Sequence, residues 1–292
     1  MTEPRSARRE ARQHRILAVG LLALSLGIAA ASLLGPLVTH AMVYRTSPTT
    51  LNQLLGSDVA ALVIVSPLTL VTAWLTYRGW VVGASLASGI AVYALYTYSQ
   101  IIIGQEYLRL PGNVERFLPL LLMIFILAEA VLVLAWRVLP EQPPAMSAHV
   151  RRGIGVLLLT ISVFLVFGQH LRPTLLGWTD PTSLTEYASS PTPFWTVKLM
   201  DLGIVVPSAV AAGIGLLRGA SWAGRLVYPL LTGYALLACS VASMAVVMLA
   251  NDDPDASVGL GASFMLFALI LVLVTVTLYR PLLRTSPPDA EP

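Results

Sequence analysis

The sequence predicts an all-α polytopic membrane protein whose eight transmembrane helices form two parallel four-helix repeats. Three observations carry that expectation. Of the 292 residues, 56% are hydrophobic and 11% charged, with a mean hydropathy of +0.77, whereas a soluble domain carries about a quarter charged residues. Apolar runs recur along the whole chain, each long enough to cross a hydrocarbon core about 30 Å thick. A pattern of Pro, Arg-Gly and Tyr in the first half returns in the second. A soluble globular protein is excluded. The single cysteine, Cys239, leaves no internal disulfide, Cys-based zinc site or Cys-ligated iron-sulfur cluster. A formal net charge of +3 says little about nucleic acid and more about topology.

Taken in order, the apolar segments between charge, Pro or Gly clusters are spans 16–43, 58–77, 79–104, 117–137, 153–171, 195–217, 223–250 and 258–279. The first follows a basic start and contains Ala29-Ala30-Ala31, as a cleaved signal peptide would. Its apolar run continues to Val43, past the roughly 7 to 15 residues of a signal core, so it reads as a retained helix. Residues 1–15 form a basic tail, 16–137 the first repeat, 138–152 a linker, 153–280 the second repeat and 281–292 a further tail. The first 14 residues and the segment from Thr285 read as disordered ends.

Lys and Arg flanking a span are retained in the cytoplasm. With the N-terminus inside, 13 of the 18 basic residues fall on the cytoplasmic side, and Arg45, Arg109, Arg116, Arg172 and Lys198 fall outside. Both termini and the 138–152 linker are then cytoplasmic.

The duplication rests on matched positions. At an offset of 140, Val65, Pro67, Arg78 and Gly79 fall on Val205, Pro207, Arg218 and Gly219. One inserted residue then aligns Gly83 with Gly224 and Tyr93-Ala94-Leu95 with Tyr234-Ala235-Leu236. Ser47-Pro48-Thr49 and Arg137 match Ser190-Pro191-Thr192 and Arg280. Four spans per unit is an even number, so both units enter the membrane in the same direction, related by an axis along its normal. At each Arg-Gly turn, Gly permits the reversal and Arg anchors it at the headgroups.

Pro67 and Pro207 interrupt spans two and six, and matched interrupted helices point to a binding site at the repeat interface. Ionisable residues near them extend the idea, because a charge in the bilayer costs about 2.5 to 3.5 kcal/mol on insertion scales and turns toward protein or water. Asp58 begins span two, and its match at the 140 offset is Lys198. Asp201 lies about 9 Å above Pro207 along the helix. Lys198 and Asp201 either pair with each other at i, i+3 or contact a ligand carboxylate and a cation or proton. With Tyr93, Tyr96 and Tyr234 as walls, these residues outline a polar pocket open to the outside; Tyr96 and Tyr98 could also be interfacial anchors. The loop from Arg172 to Phe194 is long enough to cover it. Glu129, inside span four, needs a polar partner, with Ser88, Thr69 and Thr72 at comparable depth, or stays protonated, as a structural group or a proton relay.

His40 and His170 stand near the outer ends of spans one and five. Two histidines on repeat-related helices could ligate a haem iron from opposite faces, or could simply meet headgroups and water. No GxSxG, Walker A, HExxH or GxGxxG constellation is present. Glycines in spans three and six suit close helix packing, and the turn with Asp252, Asp253 and Asp255 reads as a solvated loop. The expected partners are therefore the lipid bilayer and a small ligand or ion, with no nucleic acid, and with no cofactor unless the alternative holds, a membrane-embedded redox protein (haem or quinone) using His40 and His170. Protein partners stay open: an accessory subunit packing against other membrane proteins is the non-catalytic alternative.

The layout of Pro67, Trp74, Arg78-Gly79, Gly83 and Tyr93 to Tyr98, with Asp201, Pro207 and Arg218 in the second half, resembles a group of uncharacterised bacterial multipass membrane proteins over residues 58–250. The resemblance implies eight helices in a bacterial cytoplasmic membrane and carries no activity. The ratio of 17 arginines to one lysine suits a GC-rich bacterial genome.

Overall fold

The structure, a computed structural model, describes residues 5–140 and 146–283. Among these residues every regular element is helical, and eight helices are long and apolar enough to cross a membrane. They are α1 (Arg5–Leu34), α2 (Pro48–Tyr77), α3 (Val81–Ile103), α4 (Val114–Val138), α5 (Ala148–Thr179), α6 (Pro191–Leu217), α7 (Ser221–Ala250) and α8 (Val258–Leu283). The chain is an integral membrane protein. Connections 35–47, 104–113, 180–190 and 251–257 gather at one end, here the upper end, and 78–80 and 218–220 at the lower end, together with the end of α4 and the start of α5.

Four boundaries differ from the expected ones, each for a local reason. α1 begins at Arg5, within the tail expected to be disordered, because Arg, Ala, Glu and Gln are good helix formers. His14 Nδ1 lies 3.1 Å from the Thr76 carbonyl oxygen and ties this turn to α2. α1 stops at Leu34 rather than Val43, since Pro36 disfavours helical geometry at Gly35. α2 starts ten residues before the expected 58: Pro48 occupies the first turn and Ser47 Oγ accepts the Thr50 N–H at 3.4 Å. The expected loop 172–194 is largely helical, because α5 runs on to Thr179 and a short helix, Thr185–Ser189, precedes α6. The tail from Thr285, read as disordered, lies outside the described residues, as do residues 1–4 and 141–145.

Each matched proline is preceded by a widened, π-helical turn, Ala61–Val65 ahead of Pro67 and Asp201–Val205 ahead of Pro207. Proline lacks an N–H and its ring collides with the carbonyl one turn back; widening that turn relieves the collision. α2 and α6 also end alike. Gly79 and Gly219 take φ of 76° and 73°, and the next residues close the turn, Trp80 N–H on the Leu75 carbonyl at 3.0 Å and Ala220 N–H on the Gly215 carbonyl at 2.9 Å. A side chain at either glycine would be strained.

α1, α3 and α4 bury one apolar core that includes Leu17, Leu21, Ile28, Ile90 and Ile124. α5, α6, α7 and α8 bury a second, with Leu158, Ala212, Leu231 and Leu271. The halves meet where α3 crosses α7 and where the upper part of α2 lies along α7. Glycine permits this: a Cβ at Gly89 would fall 2.2 Å from Thr232 Cβ, and one at Gly56 2.3 Å from Met244 Cα. Gly155 of α5 and Gly213 of α6 make a similar close approach.

Polar contacts stitch the halves together at the upper end. The Ser47 N–H donates to Ser190 Oγ at 3.1 Å. Glu106 Oε1 accepts the Thr192 N–H at 2.7 Å, capping the start of α6. The acidic turn is tied in rather than solvated at Asp253, which is buried and accepts from Asn52 at 2.7 Å and Thr49 at 3.3 Å.

Candidate functional site

Asp201 begins the π turn of α6, ten residues below Pro191, which places it about 15 Å from the start of the helix. Its Oδ1 accepts from Tyr96 OH of α3 at 2.6 Å, and its Oδ2 lies 2.8 Å from His170 Nε2. His170 is buried and closes the π turn of α5, Phe164–His170. Three spans, two of them at π-helical turns, therefore converge on one carboxylate. Such turns free backbone groups and are frequent at functional sites. An imidazole, a carboxylate and a phenol in contact can hold and pass a proton.

Asp58 likewise lies ten residues after the proline that opens its helix, Pro48, and three residues before the π turn of α2. It is buried, not at the start of the helix as expected, and accepts from Tyr44 OH at 3.1 Å and Ser32 Oγ at 3.3 Å. In both halves the carboxylate thus bonds to a side chain on the preceding helix and to a tyrosine. Ser32 of α1 bonds to Asp58, and His170 of α5 to Asp201. Burial pushes the Tyr44 phenol well above its ordinary range, and the neighbouring Asp58 adds to this, so Tyr44 acts as a donor.

Lys198 is one turn above Asp201, but the two do not form an ion pair. Its ammonium donates to the Phe194 carbonyl at 3.4 Å and sits 3.1 Å from the centre of the Phe194 ring. Tyr187 and Trp195 pack edge-on against that ring, with centroids 5.2 and 5.1 Å away. Beside Lys198 a groove of about 720 Å³ separates α5 from α6, lined by Thr174, Trp178, Trp195, Thr196 and Leu199 among others.

Of the expected pocket residues, then, only Tyr96 and Asp201 touch. Tyr93 is fully buried with its OH 3.0 Å from Ser240 Oγ. Tyr234 OH donates to the Val205 carbonyl at 2.9 Å and meets Ser208 Oγ at 2.9 Å, so it serves the π turn at Pro207. In the first half, Thr69 Oγ1 donates to the Val65 carbonyl at 2.7 Å. Tyr98 is buried rather than an interfacial anchor. Glu129 is exposed on the outer face of α4, while Ser88, Thr69 and Thr72 bond to carbonyls of their own helices. His40 is exposed in the connection above α1 with φ of 54°, whereas His170 is occupied by Asp201. No cluster of three or more His, Cys, Asp or Glu suited to a metal ion occurs among the described residues.

Sequence reasoning missed the pairing of His170 with Asp201 and the roles of Tyr44 and Ser32. The positions of His170 at the end of span five and Asp201 near the start of span six were the available signal, hidden by breaking span five at 171. No family model, curated protein or solved structure matches the chain.

Proposed function

We infer that the protein binds a small ligand or ion through a polar pocket at its upper end and couples that binding or transport to a proton held by Asp201, His170 and Tyr96. The single observation carrying this reading is the convergence of those three side chains from α5, α6 and α3 at 2.6 and 2.8 Å. A carboxylate retained inside a membrane bundle is a functional candidate by default. The positive-inside pattern argues that the upper end faces the outside of a bacterial cytoplasmic membrane, with both termini within.

The two halves are read as a parallel repeat about an axis between α3 and α7. Near such an axis a residue meets its own counterpart. The contacts Ser47 with Ser190 and Val92 with Gly233 support this, since they join positions 143 and 141 apart, the offsets at which Ser47-Pro48-Thr49 and Tyr93-Ala94-Leu95 recur. The π turns recur at an offset of 140.

The test is thermal stability of the purified protein against a panel of small organic ions. A hit should stabilise the wild type and leave Asp201→Asn unmoved, with expression of the variant intact. Equal stabilisation of both proteins would remove Asp201 from the site.

A further inference from the structure

We propose that the groove beside Lys198 receives the anionic head of a single-chain amphiphile, a phosphate monoester or carboxylate, whose tail lies in the outer leaflet. The proposal rests on the reading of a ligand pocket at the upper end and is independent of the proton role of Asp201.

Lys198 is the only lysine in the chain, and it is buried seven residues below Pro191, about 10 Å along the helix. Structural needs do not account for it. No carboxylate comes within ion-pair distance of its ammonium among the described residues; its contacts are one long hydrogen bond and one ring. The Glu186 and Asp201 carboxylates act on it only at longer range, and Asp201 is occupied by Tyr96 and His170. An ammonium carries three donors, so donors remain for an oxyanion.

Across the groove stands Thr174, one of the lining residues, whose Oγ1 is buried with no hydrogen-bond partner. A buried polar atom left unpaired costs about 1 to 3 kcal/mol, a penalty that a bound oxygen would relieve. The volume of about 720 Å³ lies within the roughly 300 to 1,000 Å³ of small-molecule sites. Its rim says what kind of molecule fits. Trp178 and Leu199 are 68% and 66% exposed on helices that cross the membrane, so the groove opens sideways into lipid. A buried cation and an unpaired hydroxyl on the two lining helices, beside exposed Trp178 and Leu199, suit an amphiphile better than a soluble anion.

The test uses delipidated protein in a neutral detergent with three probes: dodecyl phosphate, dodecanol and inorganic phosphate. Dodecyl phosphate should raise Tm of the wild type and of Lys198→Arg, but not of Lys198→Gln. Should Lys198→Gln fail to fold, a chain-brominated dodecyl phosphate should still quench wild-type tryptophan fluorescence, and the quench should fall when Trp178 and Trp195 are changed to Phe. Stabilisation by inorganic phosphate alone to the same degree would overturn the amphiphile and leave a soluble-anion pocket. An equal effect of dodecanol would overturn recognition of the head. No effect of any probe would overturn the proposal, while the Asp201 test above separately decides the pocket.

Discussion

The Ser47 backbone N–H donates to Ser190 Oγ at 3.1 Å, joining two serines 143 residues apart that each precede the proline opening a membrane helix. The contact fixes α2 and α6 at a common height. Asp58 and Asp201 each lie ten residues after the proline that opens their helix, yet their settings differ: Asp58 is sealed by Ser32 and Tyr44, whereas Asp201 is half-buried between His170 and Tyr96. The difference follows from packing. α1 lies along both α2 and α4, while in the second half a groove of about 720 Å³ opens between the upper parts of α5 and α6, lined by Lys198 and Leu202 on either side of Asp201 in the chain. The second half is the more open one.

The crossing of α3 and α7 has no room for a methyl group. Gly89→Ala would bring a Cβ to 2.2 Å from Thr232 Cβ, and overpacking of this kind costs about 1 to 3 kcal/mol. Tm in detergent should fall for Gly89→Ala and partly recover in the double variant with Thr232→Gly. An unchanged Tm for the single variant would contradict the close approach.

Glu106 ties the α3–α4 connection to the start of α6 through the Thr192 N–H. Glu106→Ala leaves that buried donor unpaired, at about 1 to 3 kcal/mol. Glu106→Gln keeps an acceptor and loses the charge beside the helix N-terminus, about 0.3 to 1 kcal/mol, together with the 3.6 Å ion pair to the exposed Arg109. Chemical or thermal unfolding should rank wild type above Glu106→Gln above Glu106→Ala, and equal losses in the two variants would refute the capping role.

Glu129 is exposed on α4 in the apolar zone, whereas Asp58 is buried. A membrane-soluble carbodiimide added to the protein in lipid should therefore modify Glu129 first, as read by mass spectrometry of the peptides. The adduct should vanish in Glu129→Gln. Labelling of Asp58 ahead of Glu129 would show that α4 turns its carboxylate inward.

The sequence was most informative where one physical rule dominated. Long apolar runs gave eight spans, and Pro67, Pro207 and the Arg-Gly turns marked interruptions that are π turns and left-handed glycines in the structure. Boundaries failed where local chemistry overrode hydropathy. Ser47-Pro48 starts α2 despite the polar Thr49, Thr50, Asn52 and Gln53 that follow, and α5 continues through His170 and Arg172 because its polar groups find partners or reach the surface. Site residues were named more readily than they were grouped. Asp201, Tyr96 and His170 were all visible, but which of them touch depends on how three helices rotate, and periodicity in an all-apolar helix does not fix rotation. Lys198 and Asp201, close in sequence, made a pairing plausible that Phe194 pre-empts.

The most direct test of the central claim is infrared difference spectroscopy of the protein reconstituted in lipid, comparing the wild type with single variants. The account predicts a carboxyl band that disappears in Asp201→Asn and moves in both Tyr96→Phe and His170→Gln, because both side chains contact that carboxyl group. A band lost in Asp201→Asn that neither Tyr96→Phe nor His170→Gln moves would contradict the shared site.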